Sequence, residues 1–207
     1  MAIVVVGGST RNIGKTSVVA ALIARLPQFH WTAFKITQYG HGFCTADGSP
    51  CACQTEDACV AVTSERDAAS GADSSRFLSA GAARSFWVRT RIGQLSQAMP
   101  RVRDLIDSSE NAILESNSVL DFLTPDLYLT VLSPSIADFK ASARRLLARA
   151  DAVLIPTHNG VPQPAPDLPE IAGKPVFSVA PPTYSTDALM DFVRARLAPT
   201  PAPALRS

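Results

Sequence analysis

Short apolar segments rich in β-branched residues alternate along the chain with longer amphipathic segments. The apolar segments predict strands at residues 3–6, 31–36, 86–88, 112–114, 127–132, 152–155 and 176–179. The amphipathic segments predict helices at residues 15–25, 74–83, 100–107, 137–149 and 185–197, with Pro100 as the first residue of its helix. Several strands are continuous apolar runs, which is typical of parallel strands covered on both faces. The pattern predicts an α/β fold in which a mostly parallel sheet carries helices on both faces.

Two segments depart from this alternation. Residues 38–72, after the second predicted strand, are rich in Gly, Cys, Asp, Ser and Thr and show little periodicity. A segment of that length without regular structure in a compact domain is usually either functional or disordered, and we predict a long cysteine-containing insert there. Residues 198–207 alternate Pro with Ala and predict a tail that adds nothing to the core. The rest of the chain, residues 1–197, is long enough for one well-filled domain.

The composition narrows the class of protein. With 46% hydrophobic and 18% charged residues, the 207-residue chain can bury enough apolar surface to fold. The net charge of +1 argues against general nucleic-acid binding, which requires many phosphates to be neutralised. The sequence has no run of about 18 apolar residues, as a membrane span needs, and no charged start with a cleavage site, as a signal peptide needs. We therefore expect a cytoplasmic protein without nucleic-acid or membrane partners.

The first predicted strand runs into a glycine-rich segment, which reads G-x5-G-K-T from Gly8 to Thr16, and then into an apolar helix. Glycines let successive backbone N–H groups point at an anion, and the start of a helix adds a positive end. In such loops the lysine, here Lys15, reaches the β- and γ-phosphates, and the hydroxyl of the next residue binds Mg²⁺. We predict that GTP or ATP binds at Gly8, Ser9, Thr10, Arg11, Asn12, Ile13, Gly14, Lys15, Thr16 and Ser17.

The loop spacing resembles that of dethiobiotin synthetase, in a wider group with the nitrogenase iron protein and the molybdopterin-guanine dinucleotide biosynthesis adapter family. The iron-protein branch has a second lysine where this chain has Thr10. Two further segments are similar to the adapter family. They are Ala-Phe-Lys at 33–35 followed by Tyr-Gly-His at 39–41, and Asp-Ser-Ser-Arg at 73–76 followed by Ala-Gly-Ala at 80–82. The resemblance implies a P-loop NTPase fold that binds a nucleotide together with Mg²⁺.

Ligands of an open parallel sheet bind beyond the carboxyl ends of its strands, and this rule selects further candidates. Lys35 lies at the end of the second predicted strand, where the resemblance implies a contact with a substrate or phosphate. Glu115 follows a buried strand directly, ahead of Ser116 and Asn117. An acid there can hold Mg²⁺, and the resembled families have a glutamate at the matching place; the alternative is a pair with a nearby arginine. Asp73 and Asp57 are further candidates for a contact with the metal or a substrate, although acids in a loop are more often solvated.

Two other features of the sequence concern the nucleotide base and a second, anionic ligand. Asn159 follows a predicted strand and could read the nucleotide base, since a guanine-reading Asn-Lys-x-Asp motif is absent. Residues 76–103 contain six arginines and no acid. These arginines are either ordinary solvated surface or a site for a phosphorylated or carboxylated ligand, whose oxygens match guanidinium forks. In the second case we expect Arg76, Arg89 and Arg91 on the same side as the lysine of the loop.

The four cysteines of the chain all lie in the predicted insert, at Cys44, Cys51, Cys53 and Cys59. A cytoplasmic protein keeps its thiols reduced, which disfavours disulfides. Because Cys51 and Cys53 are two residues apart, an extended backbone directs their side chains to one face. Four thiolates suit tetrahedral Zn²⁺ and also an iron–sulfur cluster, and His41 could replace one of them. The spacing lacks C-x2-C pairs, so free thiols are the third alternative.

These features support three functions. The first is a slow GTPase or ATPase, or an adapter, in the maturation of a molybdopterin-type cofactor or a metal centre, working with a cofactor-maturation protein. The second is an ATP-dependent ligase or kinase like dethiobiotin synthetase, in which Lys15, Lys35 and Glu115 act on a small phosphorylated or carboxylate substrate. The third is a non-catalytic module in which a nucleotide gates metal binding. A homodimer is compatible with each.

Overall fold

The computed structural model describes residues 1–40, 60–134 and 141–198 of the chain. In these ranges the strands are β1 (Ile3–Gly8), β2 (Trp31–Tyr39), β3 (Val60–Ser64), β4 (Arg84–Arg91), β5 (Asn111–Glu115), β6 (Leu127–Val131), β7 (Ala152–Pro156) and β8 (Val176–Val179). The helices are α1 (Lys15–Arg25), α2 (Asp73–Ser79), α3 (Leu95–Asp107), α4 (Ala141–Leu146) and α5 (Asp187–Leu197). None of these helices is long and apolar enough to cross a membrane.

The strands form one sheet in the order β3-β4-β2-β5-β1-β6-β7-β8. Every neighbouring pair is parallel except β3 with β4, which is antiparallel. The prediction of a mostly parallel sheet is therefore confirmed. The central strand β1 lies between β5 and β6. Strands β2 to β5 lie on one side of β1, and strands β6 to β8 lie on the other. The loop after β1 thus lies at the carboxyl edge of the sheet where the strand order diverges, which is the usual ligand position in such sheets.

Helices cover both faces of the sheet, as the sequence predicts. On one face, buried side chains of α1, α2 and α5 pack together with the sheet, among them Val18, Phe77 and Met190. On the other face, α3 and α4 pack against the same strands through residues such as Val102 and Leu146. The strands between them are buried on both sides, which explains why they are continuous apolar runs in the sequence.

The predicted insert is shorter than the sequence indicates. Gln38 and Tyr39 still belong to β2, and Val60–Ser64 forms β3, which pairs with β4 at the edge of the sheet. The sequence analysis missed this strand because an edge strand buries little: Ser64 is exposed and the apolar residues of β3 are only half-buried. Residues 41–59, the central part of the predicted insert, lie outside the described residues.

The third helix begins earlier than predicted, and Pro100 lies inside it instead of at its start. A proline inside a helix removes one backbone hydrogen bond and costs about 3 kcal/mol. Here the apolar spacing continues through the proline, so that Leu95, Met99, Val102 and Ile106 are all buried on the face toward the sheet. The burial of this apolar face outweighs the cost of the proline, because each fully buried side chain contributes about 1.5–3 kcal/mol.

Two other helices also differ from the prediction. Helix α2 ends at Ser79, four residues early, because Gly81 adopts a left-handed backbone with φ of 100° and stops it. Helix α4 ends at Leu146 and continues as a 3₁₀ turn over Leu147–Arg149. The predicted start of that helix, residues 137–140, lies outside the described residues. The early end of α2 leaves room for the chain to enter β4 at Arg84.

Candidate functional site

The glycine-rich loop connects the end of β1 directly to the start of α1. Gly14 immediately precedes Lys15, the first residue of α1, and has a left-handed backbone with φ of 101°. Asn12 is also left-handed, with φ of 55°. Glycine adopts this conformation without a steric penalty, which is why the turn into the helix requires it at Gly14. The loop and the helix start are therefore arranged as the sequence predicts for a phosphate-binding loop.

Residues that follow β5 and β6 hold the beginning of the loop. The side chain of Asn117 forms two hydrogen bonds with Gly8, accepting from its N–H and donating to its carbonyl oxygen, both at 2.8 Å. The N–H of Ser9 donates to the carbonyl of Val131 at 2.9 Å, and the buried Ser9 hydroxyl accepts from the N–H of Ser133 at 2.9 Å. The sequence analysis noted Asn117 as a polar residue after a strand but did not predict this clamp, which needs the register between β1 and β5.

The clamp leaves no space at Gly7, and this predicts a large loss of stability in Gly7→Ala. A Cβ atom there would lie 2.2 Å from Asn117 Oδ1 and 2.8 Å from the Tyr128 hydroxyl. Burial raises the pKa of Tyr128, which keeps this hydroxyl neutral beneath the loop. We expect Gly7→Ala to lower the free energy of unfolding by about 1–3 kcal/mol, as overpacked cores do, in a denaturant titration.

Gly81→Ala is the control for this prediction. A Cβ at Gly81 meets nothing within 4 Å, so this variant carries only the strain of its left-handed backbone. That strain costs roughly 1–2 kcal/mol, and the phosphate loop stays intact. If nucleotide affinity falls equally in Gly7→Ala and Gly81→Ala, the clamp described above does not position the loop.

Lys15 bends back over the loop that precedes it. Its ammonium group donates to the carbonyl oxygen of Thr10 at 2.6 Å. The iron-protein branch has a second lysine at the position of Thr10. Because this chain has a threonine there, Lys15 is the one lysine of this loop that could contact phosphates. The side chains of Thr10, Arg11, Asn12 and Ile13 line a pocket described below.

A polar cluster lies at the first turn of α1, buried at Thr16 and Glu115 and open to solvent at Asp73. The hydroxyl of Thr16 donates to Glu115 Oε2 at 2.7 Å. The ammonium group of Lys35 contacts three oxygens: Glu115 Oε1 at 2.5 Å, Asp73 Oδ2 at 2.8 Å and Thr16 Oγ1 at 3.2 Å. Glu115 is 3% exposed and Thr16 is 9% exposed. The structure thus brings together Thr16, Lys35, Asp73 and Glu115, all of which the sequence analysis selected separately; we call this set the Lys35 cluster.

The position of Lys35 corrects one detail of the sequence analysis. Lys35 lies inside β2, four residues before Tyr39 ends the strand, and not at the strand end. It still reaches the site because β2 is longer than its neighbour β5, and the register pairs Lys35 with Glu115, the last residue of β5. Asp73 reaches the same point from the first turn of α2.

The oxygens of the Lys35 cluster fit a magnesium ion. Mg²⁺ prefers carboxylate and other oxygen ligands and is usually bound in proteins by one or two carboxylates beside substrate phosphates. Asp73 and Glu115 supply carboxylates, and Thr16 supplies a hydroxyl at the start of α1. Among the described residues there is no group of three or more His, Cys, Asp or Glu side chains that could hold a metal by themselves. If Mg²⁺ binds here, Thr16, Asp73 and Glu115 are the residues whose oxygens would hold it.

Arginine side chains extend the positive charge beside this cluster. Arg76 Nη2 donates to the Ser17 hydroxyl at 2.9 Å, and its Nη1 lies 3.9 Å from Asp73 Oδ1. Arg89 stacks on the ring of Trp87, with its guanidinium carbon 4.6 Å from the ring centroid. The sheet register pairs Lys35 with Trp87, so Arg89 lies on the same face of the sheet, two residues closer to the carboxyl edge.

A pocket of about 450 Å³ opens on the side of the phosphate loop that faces away from the Lys35 cluster. It lies between the loop and the segments that follow β6, β7 and β8. Its lining consists of Thr10, Arg11, Asn12, Ile13, Ser133, Pro134, Pro156, Thr157, His158, Gln163 and Tyr184. Tyr184 packs against the loop, since a Cβ on Gly14 would lie 2.7 Å from its ring. A cavity of this volume is in the range of small-molecule sites.

Asn159 is not one of the residues that line this pocket. It lies in an exposed turn with φ of 50°, between His158 and Gly160. The chain after β7 therefore contributes Thr157 and His158 to the pocket, and the structure does not bring Asn159 to it. The sequence analysis also missed Gln163 and Tyr184, for which only their distance downstream of predicted strands is a sequence signal.

The predicted zinc or iron–sulfur site lies outside the described residues. Cys44, Cys51, Cys53 and Cys59, together with His41, all fall in residues 41–59. The described chain resumes at Val60 with β3, the edge strand of the sheet, which pairs with β4. Whether the cysteines bind a metal stays a prediction.

Comparisons with known proteins bear on the fold. No protein-family model and no curated protein matches the chain. Among solved structures, LpxK from Aquifex aeolicus in complex with ATP has a TM-score of 0.50 at 19% identity, over 86% of this chain and 53% of LpxK. HypB from Helicobacter pylori in complex with nickel has a TM-score of 0.46 at 14% identity, covering 91% and 82% of the two chains. MobB from Bacillus subtilis has a TM-score of 0.42 at 16% identity, covering 95% and 98%.

The identities are low, and this chain spans about half of the length of LpxK, 53%. The likeness therefore concerns the arrangement of strands and helices and carries no activity from one protein to the other. The resemblance of the sequence and the likeness of the structure lead to one conclusion, that this chain has the fold of the P-loop NTPases.

Proposed function

We propose that the protein binds GTP or ATP with Mg²⁺ and acts as a slow NTPase or nucleotide-dependent adapter in the maturation of a molybdopterin-type cofactor or a metal centre. The observation that carries the proposal is the Lys35 cluster, which offers two carboxylates and a hydroxyl beside a phosphate-binding loop. The resemblance to the adapter family supports the maturation role. A cytoplasmic location and a cofactor-maturation protein as partner belong to the same proposal.

In this proposal each residue of the site has one task. The N–H groups of Gly8–Thr16 and the ammonium group of Lys15 bind the phosphates. Thr16, Asp73 and Glu115 hold Mg²⁺, which when bound neutralises charge on the phosphate oxygens. Asn117 holds the loop in its phosphate-binding shape through its two bonds with Gly8.

The contacts of the carboxylates support a slow reaction. Hydrolysis requires a side chain that orients or deprotonates the attacking water. Asp73 and Glu115 both contact the ammonium group of Lys35, and in this proposal both become ligands of Mg²⁺, so neither is available to take a proton from the attacking water. Gln38 lies on β2, the strand of Lys35, and has an amide that could orient a water. Its side-chain oxygen already accepts a hydrogen bond from the N–H of Gly93. Within the described residues the cluster therefore lacks an uncommitted base, and a partner protein would supply the missing group.

The pocket beside the loop supports binding of the nucleoside part, and Tyr184→Ala tests this. We expect the affinity for ATP and GTP to fall about fivefold, because an aromatic contact contributes about 0.5–1.5 kcal/mol. Inorganic tripolyphosphate has no base, so its affinity should stay unchanged in Tyr184→Ala. Isothermal titration calorimetry in the presence of Mg²⁺ measures the affinities for the nucleotides and for tripolyphosphate.

An equal loss of affinity for tripolyphosphate would mean that Tyr184 supports the loop through Gly14 and does not contact the nucleoside. Failure of the wild-type protein to bind either nucleotide would refute the proposed function itself.

A second candidate is transfer of the γ-phosphoryl group to a small phosphorylated or carboxylate substrate, as in dethiobiotin synthetase. The observation that favours it is the row of cations beside the Lys35 cluster: Arg76 lies against Ser17, and Arg89 is stacked on Trp87. Guanidinium groups bind carboxylates and phosphates in two-point contacts. An assay of ADP formation separates the candidates, because ADP is released whether the γ-phosphoryl group goes to water or to a substrate. Adding a pool of small carboxylic acids accelerates ATP consumption in a ligase or kinase, whereas an adapter responds only to its protein partner.

A further inference from the structure

The ammonium group of Lys35 contacts the oxygens that are also the natural ligands of a magnesium ion. It lies 2.5 Å from Glu115 Oε1, 2.8 Å from Asp73 Oδ2 and 3.2 Å from Thr16 Oγ1. These three side chains come from β5, α2 and α1, so the contacts are not a consequence of neighbouring positions in the sequence. A single cation at this point satisfies both carboxylates at once.

Lys35 and Mg²⁺ exclude each other at this position. Mg²⁺ requires its oxygen ligands at about 2.0–2.1 Å, and an ammonium group bonded to the same oxygens occupies that space. The two cations would also repel each other, and solvent screens this repulsion little on the side of Glu115, whose side chain is 4% exposed, but more on the side of Asp73, whose side chain is 45% exposed. Lys35 must therefore leave these oxygens when the metal binds them.

The same burial explains why a cation is needed there at all times. Glu115 without a positive partner would be an unpaired buried charge, which is strongly destabilising. Lys35 has a long flexible side chain with a compact charge, so it can turn from the carboxylates toward other anions nearby. The phosphates that the proposed function assigns to the loop Gly8–Thr16 are such anions, beside Thr16 at the start of the same helix.

We propose that Lys35 is an internal cation that competes with Mg²⁺ for Thr16, Asp73 and Glu115, so that the metal binds tightly only when phosphates draw the ammonium group away. This inference rests on the proposed function for its phosphates, but the competition itself concerns the metal alone. It gives the site a device that couples metal binding to nucleotide binding. Lys35 is then a positioning residue for the metal in addition to any contact with a substrate.

The competition is tested by titrating Mg²⁺ without nucleotide into four proteins. In Lys35→Met, which is similar in length and uncharged, we expect Mg²⁺ to bind at least tenfold more tightly than in wild type. Lys35→Arg keeps the positive charge and should bind Mg²⁺ as weakly as wild type. Lys174→Met is the matched control, because Lys174 donates to the carbonyls of Ala148 and Ala150 near the start of β8, at the opposite edge of the sheet. Equal or weaker Mg²⁺ binding by Lys35→Met, or tight binding by Lys35→Arg, overturns the proposal.

A second measurement uses the wild-type protein and does not depend on the folding of a variant. The chain contains four lysines, Lys15, Lys35, Lys140 and Lys174, so labelling the lysine ε-carbons gives four NMR signals. At saturating Mg²⁺ without nucleotide, we expect the signal of Lys35 to shift and that of Lys174 to stay. The signal of Lys35 is assigned by its loss in Lys35→Arg. A Lys35 signal that does not move overturns the proposal.

The outcome is separable from that of the proposed function, because no nucleotide is present in either measurement. Calorimetry with ATP and GTP tests nucleotide binding on its own. A protein that fails to bind nucleotide but shows the tenfold effect of Lys35→Met would refute the proposed function and keep the competition between Lys35 and Mg²⁺.

Discussion

Replacement of Lys15 by alanine should weaken the binding of ATP or GTP with Mg²⁺ at least tenfold while the fold stays intact. In the proposed function Lys15 supplies a charge-assisted contact to the phosphates, which contributes about 1.5–3 kcal/mol and corresponds to roughly 10- to 150-fold in affinity. The structure holds its ammonium group over the loop through the carbonyl of Thr10, at 2.6 Å. Isothermal titration calorimetry measures the affinity, and circular dichroism checks the fold.

Lys174→Ala is the control for Lys15→Ala. Lys174 also donates to main-chain carbonyls, but it lies at the opposite edge of the sheet, so its removal should leave nucleotide affinity unchanged. A folded Lys15→Ala variant with wild-type affinity would contradict the assignment of Gly8–Thr16 as the phosphate-binding loop.

The second large effect is expected for Glu115→Gln, in both metal response and stability. The amide keeps the size of the side chain but removes the charge that pairs with Lys35 at 2.5 Å and that, in the proposed function, binds Mg²⁺. Removing one partner of a buried ion pair costs about 3–5 kcal/mol, and we expect a value near the lower end because Lys35 keeps its contact with Asp73. Stabilisation by Mg²⁺ in the presence of nucleotide, and any Mg²⁺-dependent phosphate release, should be largely lost.

Glu110→Gln is the matched control, because Glu110 also contacts a basic side chain, with its Oε2 2.9 Å from His30 Nδ1, but the Glu110 side chain is 71% exposed. This contact is an ion pair only when His30 is protonated. Exposed pairs contribute at most about 1 kcal/mol, so this variant should unfold close to wild type in a denaturant titration. If Glu115→Gln and Glu110→Gln lose the same stability, and Mg²⁺ stabilises Glu115→Gln as it does the wild type, Glu115 is not a metal ligand. Asp73 would then be the principal carboxylate for the metal.

The structure changes the physical meaning of Glu115. From the sequence, an acid after a strand has two interpretations, a metal ligand or the partner of an arginine. Neither places the acid in a buried ion pair, so the sequence alone predicts that Glu115→Gln affects the fold little. In the structure its partner is Lys35 rather than an arginine, and both are shielded from solvent. The substitution therefore affects stability as well as chemistry, because the charge that it removes balances another one inside the protein.

The arrangement of arginines also depends on the sheet. Arg89 lies on the face of Lys35 because β2 and β4 are neighbours and pair Lys35 with Trp87. Arg76 reaches Ser17 because α2 packs beside α1. Neither neighbour relation is visible from the run of six arginines itself. The run alone leaves solvated surface and anion binding as alternatives, and the structure adds that Arg76 and Arg89 lie on the side of the Lys35 cluster.

The sequence by itself determined the fold class, the phosphate loop and the membership of the polar cluster. Buried parallel strands need apolar side chains on both faces, and a phosphate loop needs glycines and a lysine at set intervals, so both leave local patterns. Only the tertiary structure decided that Lys35 bridges Asp73 and Glu115, that Asn117 clamps Gly8, and that β3 joins the sheet edge. These features arise between residues that are distant in the chain, and strand order and register, which bring them together, are set by packing of the whole core and not by any local pattern.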